Sequence, residues 1–319
     1  MAEATLITKA RVRIEPIRDR CAPFAGTAAR IIAGLLWLAN TDWKRPPDFG
    51  RDADRGLWVF TNHGIENEVF GPFRWVLEDI VIPNFELFGW ITIASEVTLA
   101  ALLLSGTFTR FAGLLGVGQA VAITLSVLNT PGEYNWAYYM MIGLHLAIIG
   151  LGGGPWSVDA VIAKAKAGDR ARVLRSVTAG SYAVGGLLIG AGAWITYELR
   201  DRPFSVSESA GDYYRAIVFG NQSLRGSMLL GITLIVIGLA TAAIATRPVP
   251  ARGLGAALLL FAIFSCVTYG TTANPFGSAP STAAITGATA AFLLAAAWAL
   301  GQNDHSSATP NAMPGAVAH

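Results

Sequence analysis

Eight runs of roughly 20 apolar residues dominate this 319-residue chain, and that is the length a helix needs to cross a hydrocarbon core of about 30 Å. Their approximate limits are 26–43, 86–106, 110–129, 134–153, 178–198, 225–246, 252–270 and 281–301. A water-soluble protein with so many such runs would have too little polar surface left to cover them. Charged residues make up 14% of the chain, against about 25% in soluble domains. The expected fold is therefore all-α: a polytopic membrane helix bundle of about eight transmembrane helices.

Lysine and arginine group by position and orient the spans. Lys9, Arg11, Arg13, Arg18, Arg20 and Arg30 crowd the N-terminal arm, and Lys164, Lys166, Arg170, Arg172 and Arg175 follow the fourth span. Arg110, and Arg247 with Arg252, lie in the short turns after the second and sixth spans. The positive-inside rule then places both termini in the cytoplasm. Residues 44–85 dissent mildly, with Lys44, Arg45, Arg51, Arg55 and Arg74 in a loop expected outside. The basic arm leads to a run that ends Trp-Lys-Arg-Pro, not in a small-residue cleavage site, so that run reads as the first span. A net charge of +2 carries no basic face for nucleic acid. Cys21 and Cys266 lie far apart in sequence and support no disulfide framework.

Within the first outer loop, residues 69–82 are too apolar for free chain and too charged to span. Phe70, Phe73, Trp75, Leu77, Ile80 and Val81 suggest an interfacial or re-entrant helix ended by Pro83. A plug packed on the bundle would leave the same pattern. Spans one to four and five to eight share a layout, and residues 101–111 loosely echo 237–247. The domain reading follows: a basic arm (1–25), a four-helix unit (26–163), a basic linker (164–177), a second four-helix unit (178–301) and a disordered tail (302–319), the two units forming a parallel repeat.

Ionisable groups inside spans are functional candidates because burying them is costly. Glu96 in span two and His145 in span four each lie about ten residues in from the same side, hence roughly 15 Å deep. Gln119 in span three falls near that depth. A carboxylate and an imidazole in one layer could exchange protons with a bound quinone; equally, they could tie helices together by hydrogen bonds. The second half carries no buried acid, base or imidazole in its spans, and Gly185, Gly186, Gly190 and Gly192 suit close helix packing. Trp37, Trp43, Trp58, Trp75, Trp90, Trp136, Tyr138 and Tyr139 read first as an interfacial aromatic belt, with Trp90 as the candidate quinone contact. His63 with Glu66 and Glu68 reads as solvated loop in preference to a metal site. No flavin, haem or iron–sulfur motif is present in the sequence.

Ile82-Pro83-Asn84, Phe88-Gly89-Trp90, Glu96, Leu104 with Gly106, and Thr109-Arg110 resemble the second helix of DoxX/DoxD proteins. Span one, ending Trp43-Lys44, is similar to the first helix of that family. Gly152-Gly153-Gly154-Pro155-Trp156-Ser157-Val158-Asp159 looks like its Gly-rich, aromatic, Ser-x-Asp close. The resemblance covers about 27–163, and Lys44 and Glu96 fall on family positions. It implies a prokaryotic plasma-membrane subunit of a quinone-linked redox complex, with a protein partner, that passes electrons from thiosulfate or another sulfur substrate to quinone. In that reading Glu96 and His145 are catalytic, Gln119 and Trp90 contact quinone, and Lys44, Arg45 and Arg74 hold the sulfur oxyanion. A non-catalytic anchor, with the 44–85 loop as docking surface, is the alternative; a small-solute or lipid transporter is the third.

Overall fold

The computed structural model describes residues 2–205, 214–219, 222–271 and 273–306, with side chains described for 21–205, 225–271 and 273–302. All eight apolar runs are helical. They lie in α1 (Ala2–Thr41), α4 (Phe85–Ser105), α5 (Thr109–Val127), α6 (Asn135–Leu151), α8 (Arg170–Glu198), α9 (Met228–Ile244), α10 (Pro248–Val267) and α11 (Pro280–Ser306). Shorter helices intervene: α2 (Leu57–Glu66), α3 (Gly71–Trp75) and α7 (Val158–Lys166). Six segments are long and apolar enough to cross a membrane; α6 and α9 are shorter apolar helices. Their outward side chains are apolar, as with Leu187 at 75% and Leu260 at 68% exposure, which suits contact with a lipid bilayer.

Several boundaries differ from the sequence reading. The sixth run starts at Met228 because Ser227 Oγ caps the helix, accepting from Leu230 N at 3.3 Å. Ahead of it, β1 (Tyr214–Phe219) and β2 (Gln222–Gly226) form an antiparallel hairpin, with Tyr214 opposite Gly226. Pro83 does not end the helix that precedes it. The chain widens into a π-helical segment at Val76–Val81, tightens into a 3₁₀ turn at Ile82–Asn84 and runs on into α4. Asn84 Nδ2 donates to Ile80 O at 2.9 Å, satisfying one carbonyl beside the proline. Of the proposed disordered tail, 302–306 is the end of α11, and 307–319 lie outside the described residues.

Close packing rests on glycine. Helices α8 and α9 are antiparallel neighbours, and a Cβ on Gly185 would meet Gly238 O at 2.7 Å, one on Gly192 Gly231 O at 2.4 Å. Gly186 and Gly190 face open space, so only two of the four glycines named from sequence serve this contact. The last helix is the most enclosed: α11 packs on α10 and also on α4 and α7. Its small buried residues Ala283, Ala284, Ala290, Ala296 and Ala297 permit that approach. Asp42, just past α1, caps it by accepting from Ser281 N at 2.9 Å and Ser281 Oγ at 2.7 Å.

The opposite end of the first four apolar helices is tied around Arg30. Gly106, at φ +70°, closes α4, and its N–H donates to Leu102 O at 2.8 Å. Arg30 Nη1 donates to Leu103 O and Leu104 O at 2.9 and 2.7 Å, its Nε to Gly153 O at 2.8 Å and its Nη2 to Trp156 O at 2.6 Å. Asp159 accepts from Phe108 N and Thr109 N at 2.9 Å each, capping α5. Gly106, Thr109 and the Gly153–Asp159 stretch, all among the motif residues, thus meet in one structural knot. Arg30, read from sequence as part of the cytoplasmic basic arm, is 2% exposed within it.

Candidate functional site

One face of α1 and the turn beyond it carries Trp37, Asn40 and Lys44, spaced i, i+3, i+7, and this face organises the polar interior. Lys44 Nζ lies 2.8 Å from Glu96 Oε2 and donates to Asn40 O at 2.7 Å. Asn40 Nδ2 donates to Glu96 Oε1 at 3.1 Å, and Gln119 stands within interaction range of Glu96. Trp43 shields the group: its Nε1 donates to Asn40 Oδ1 at 2.9 Å, and the Lys44 ammonium sits 4.0 Å from its ring centroid. Glu96 is fully buried and Lys44 nearly so. Gln119 thus lies at the depth of Glu96, as the sequence reading expects. Lys44, placed on the outer surface by the sequence reading, is instead folded inward; pairing with Glu96 offsets the cost of burying either charge.

His145 belongs to a separate cluster one turn away along α1. Trp37 Nε1 donates to His145 Nε2 at 2.9 Å, and Nδ1 lies 2.7 Å from Met141 O. An indole can only donate, so Nε2 carries the lone pair and Nδ1–H donates to Met141 O, which fixes the neutral tautomer. Both ring nitrogens are thus occupied, and none of the described hydrogen bonds joins His145 to Glu96. Trp37 is wholly buried, so it leaves the aromatic belt in which it was grouped; Trp75, Trp136 and Tyr139 are exposed as a belt requires.

Gly116 makes the room for this imidazole, since a Cβ there would stand 1.9 Å from His145 Cδ2. Gly116→Ala is expected to displace the ring, break the Trp37 bond and destabilise the protein by about 1–3 kcal/mol. Thermal unfolding in detergent with tryptophan emission as readout checks this. Gly118→Ala, where nothing lies within 4 Å, should leave emission unchanged and stability no lower.

A compact loop covers the Lys44 end of the bundle. Phe49 is buried on Gly89, where a Cβ would meet its ring at 2.2 Å, and packs edge-on to Trp90 at 5.6 Å. Gly50, at φ +93°, admits the Arg55 N–H to Gly50 O bond of 3.0 Å; a Cβ there would strike Arg55 O. Between this loop, α2 and β2 lies a cavity of about 390 Å³ lined by Trp43, Arg45, Asp48, Gly50, Arg55, Gly56, Phe60 and Arg225. Trp43 separates it from the Lys44–Glu96 pair.

The remaining candidates are dispersed. Arg45 lines the cavity, whereas Arg74 is exposed and engaged at 3.0 Å by Glu78 and at 3.5 Å by Glu68. Trp90 packs in the aromatic cluster with Phe49. Among the described residues no three His, Cys, Asp or Glu side chains gather as a metal site, and Cys21 and Cys266 are free thiols. Asn40 and Arg225 were not named from sequence, and Arg30 was counted only with the basic arm; the i, i+3, i+7 spacing could have found Asn40, while nothing local marks the roles of the other two. Compared with protein-family models, curated proteins and solved structures, the chain matches none.

Proposed function

We propose that all eight apolar helices cross the membrane, with both termini cytoplasmic, and that the chain is a DoxX/DoxD-like subunit of a quinone-linked redox complex in a prokaryotic plasma membrane. The 17 residues of α6 and of α9 rise about 26 Å, enough for a slightly thinned core. The observation that carries the functional reading is the Lys44–Glu96 pair. Those two residues carry the resemblance, one just past α1 and one within α4, and they stand 2.8 Å apart inside the bundle. A carboxylate–ammonium pair can also shift one proton internally and stay neutral overall, which suits proton delivery to a quinone in a medium that penalises net charge. Quinone reduction takes two electrons with two protons; the electrons would come from thiosulfate or another sulfur substrate through a partner subunit. Gln119 would stand beside Glu96 at the quinone headgroup, with Trp90 nearer the loop.

A second reading, a non-catalytic anchor, has its own support. Glu96 is enclosed and multiply hydrogen-bonded, both His145 nitrogens are occupied, and Phe70, Trp75 and Ile80 are 46–57% exposed along the segment leading into α4. The test is reduction of a water-soluble quinone analogue by thiosulfate, using the full chain purified in mild detergent with whatever protein accompanies it. Under the redox reading Glu96→Gln abolishes turnover and leaves the partner bound. Full activity in Glu96→Gln removes the proton-donor role. Release of a partner by Trp75→Ala, with no activity in any preparation, establishes the anchor.

A further inference from the structure

We propose that the cavity beside Trp43 is a phosphoryl-binding site, filled by the headgroup of an anionic phospholipid or by a free phosphate compound. Among the described residues, three guanidinium side chains, Arg45, Arg55 and Arg225, line it against one carboxylate, Asp48. None of the three makes an ion pair or a side-chain hydrogen bond among the described residues, although Asp48 is at hand and Asp42 lies within electrostatic range of Arg225. The Nε–H of Arg225 is buried with no acceptor among the described residues. A guanidinium N–H shut away from water without an acceptor is costly, and three like charges around one space repel each other. An anion in the cavity removes both penalties.

The chemistry of the lining selects the kind of anion. A carboxylate offers two oxygens in one plane and is filled by one guanidinium fork. A phosphoryl group offers three oxygens in a tetrahedral fan, so forks approaching from separate segments can each find acceptors. Here the arginines come from three places in the chain: the end of the first span, the turn before α2, and β2. About 390 Å³ admits the group together with a carbon stem against Trp43 and Phe60, and the cavity lies at an end of the bundle, where a lipid phosphate would sit. Glu96 and Lys44 play no part in this inference, and Arg45, which the redox reading gives to a sulfur oxyanion, serves a phosphoryl group here.

The full chain, purified in an uncharged detergent, tests it at constant ionic strength with chloride as the balancing anion. Binding of inorganic phosphate and of short-chain phosphatidic acid is measured by calorimetry and by the shift in thermal unfolding. Saturable binding of phosphatidic acid alone assigns a lipid headgroup; saturable binding of phosphate as well assigns a free phosphate compound. In either case Arg225→Gln and Arg45→Gln should each weaken binding by about tenfold or more, and Arg225→Lys less, because charge survives without the fork. Arg110→Gln, exposed at the opposite end of the bundle, should bind as the parent does. Should Arg225→Gln not fold, the exposed Arg55→Gln carries the same expectation. Failure of both probes to saturate, or unchanged binding in the arginine variants, overturns the proposal.

Discussion

Lys44→Met is expected to destabilise the protein by about 3–5 kcal/mol, because it strands a carboxylate in an enclosed site. Glu96 would keep Asn40 as a donor but lose its one charged partner among the described residues. The double change Lys44→Met with Glu96→Leu removes both charges and should recover most of the loss, since a buried pair is worth little relative to an apolar replacement of similar volume. Glu96→Gln should cost less than Lys44→Met. Its amide oxygen can still accept from Lys44 or Asn40, and an unpaired lysine can shed its proton. Denaturant unfolding of the parent, Lys44→Met, Glu96→Leu and the double variant in one detergent, treated as a double-mutant cycle, measures the coupling directly. A coupling near zero would mean that the pair is incidental to the fold, and its place at the centre of the redox reading would go with it. The mildness expected of Glu96→Gln is what makes that variant usable for activity.

The positions of the apolar helices were legible because twenty apolar residues in a row have few other fates: 86–106 is Phe85–Ser105 and 110–129 is Thr109–Val127. Which face of each helix turns inward was not. In lipid, a leucine facing the bundle and one facing the acyl chains are equally apolar, so period carries little signal. Trp37 shows the consequence: it was grouped with interfacial tryptophans, yet its indole N–H serves a buried imidazole. Lys44 shows another. Its position at the end of a span suggested the surface, but a four-carbon stem can lead a charge inward as readily as outward when a carboxylate waits there. The central place of α11 was written in its alanines, which read only as generic apolar composition. The arginine-lined cavity was invisible because Arg45 and Arg225 are 180 residues apart and only the fold joins them. Glu96 beside Gln119 was legible because depth along two antiparallel helices is simple arithmetic at 1.5 Å per residue.

Arg30→Met should prove the most damaging single substitution of a charged side chain outside the Lys44–Glu96 pair. Its guanidinium satisfies four backbone carbonyls from two separate stretches, Leu103 and Leu104 at the end of α4, and Gly153 and Trp156 in the turn before α7. Helix C-termini leave their last carbonyls without intrahelical partners, and this one is buried where water cannot substitute. Each buried acceptor left open costs about 1–3 kcal/mol; the losses are not additive, and about 4 kcal/mol in all is the expected scale. Arg30→Lys should recover only part, because an ammonium on one carbon stem cannot span both stretches as the planar fork does. Arg110, exposed at the same end of the bundle, is the control: Arg110→Gln should stay within about 0.5 kcal/mol of the parent. Thermal unfolding in detergent ranks the three. Arg30→Met as stable as Arg110→Gln would show that the knot does not hold this end of the bundle together.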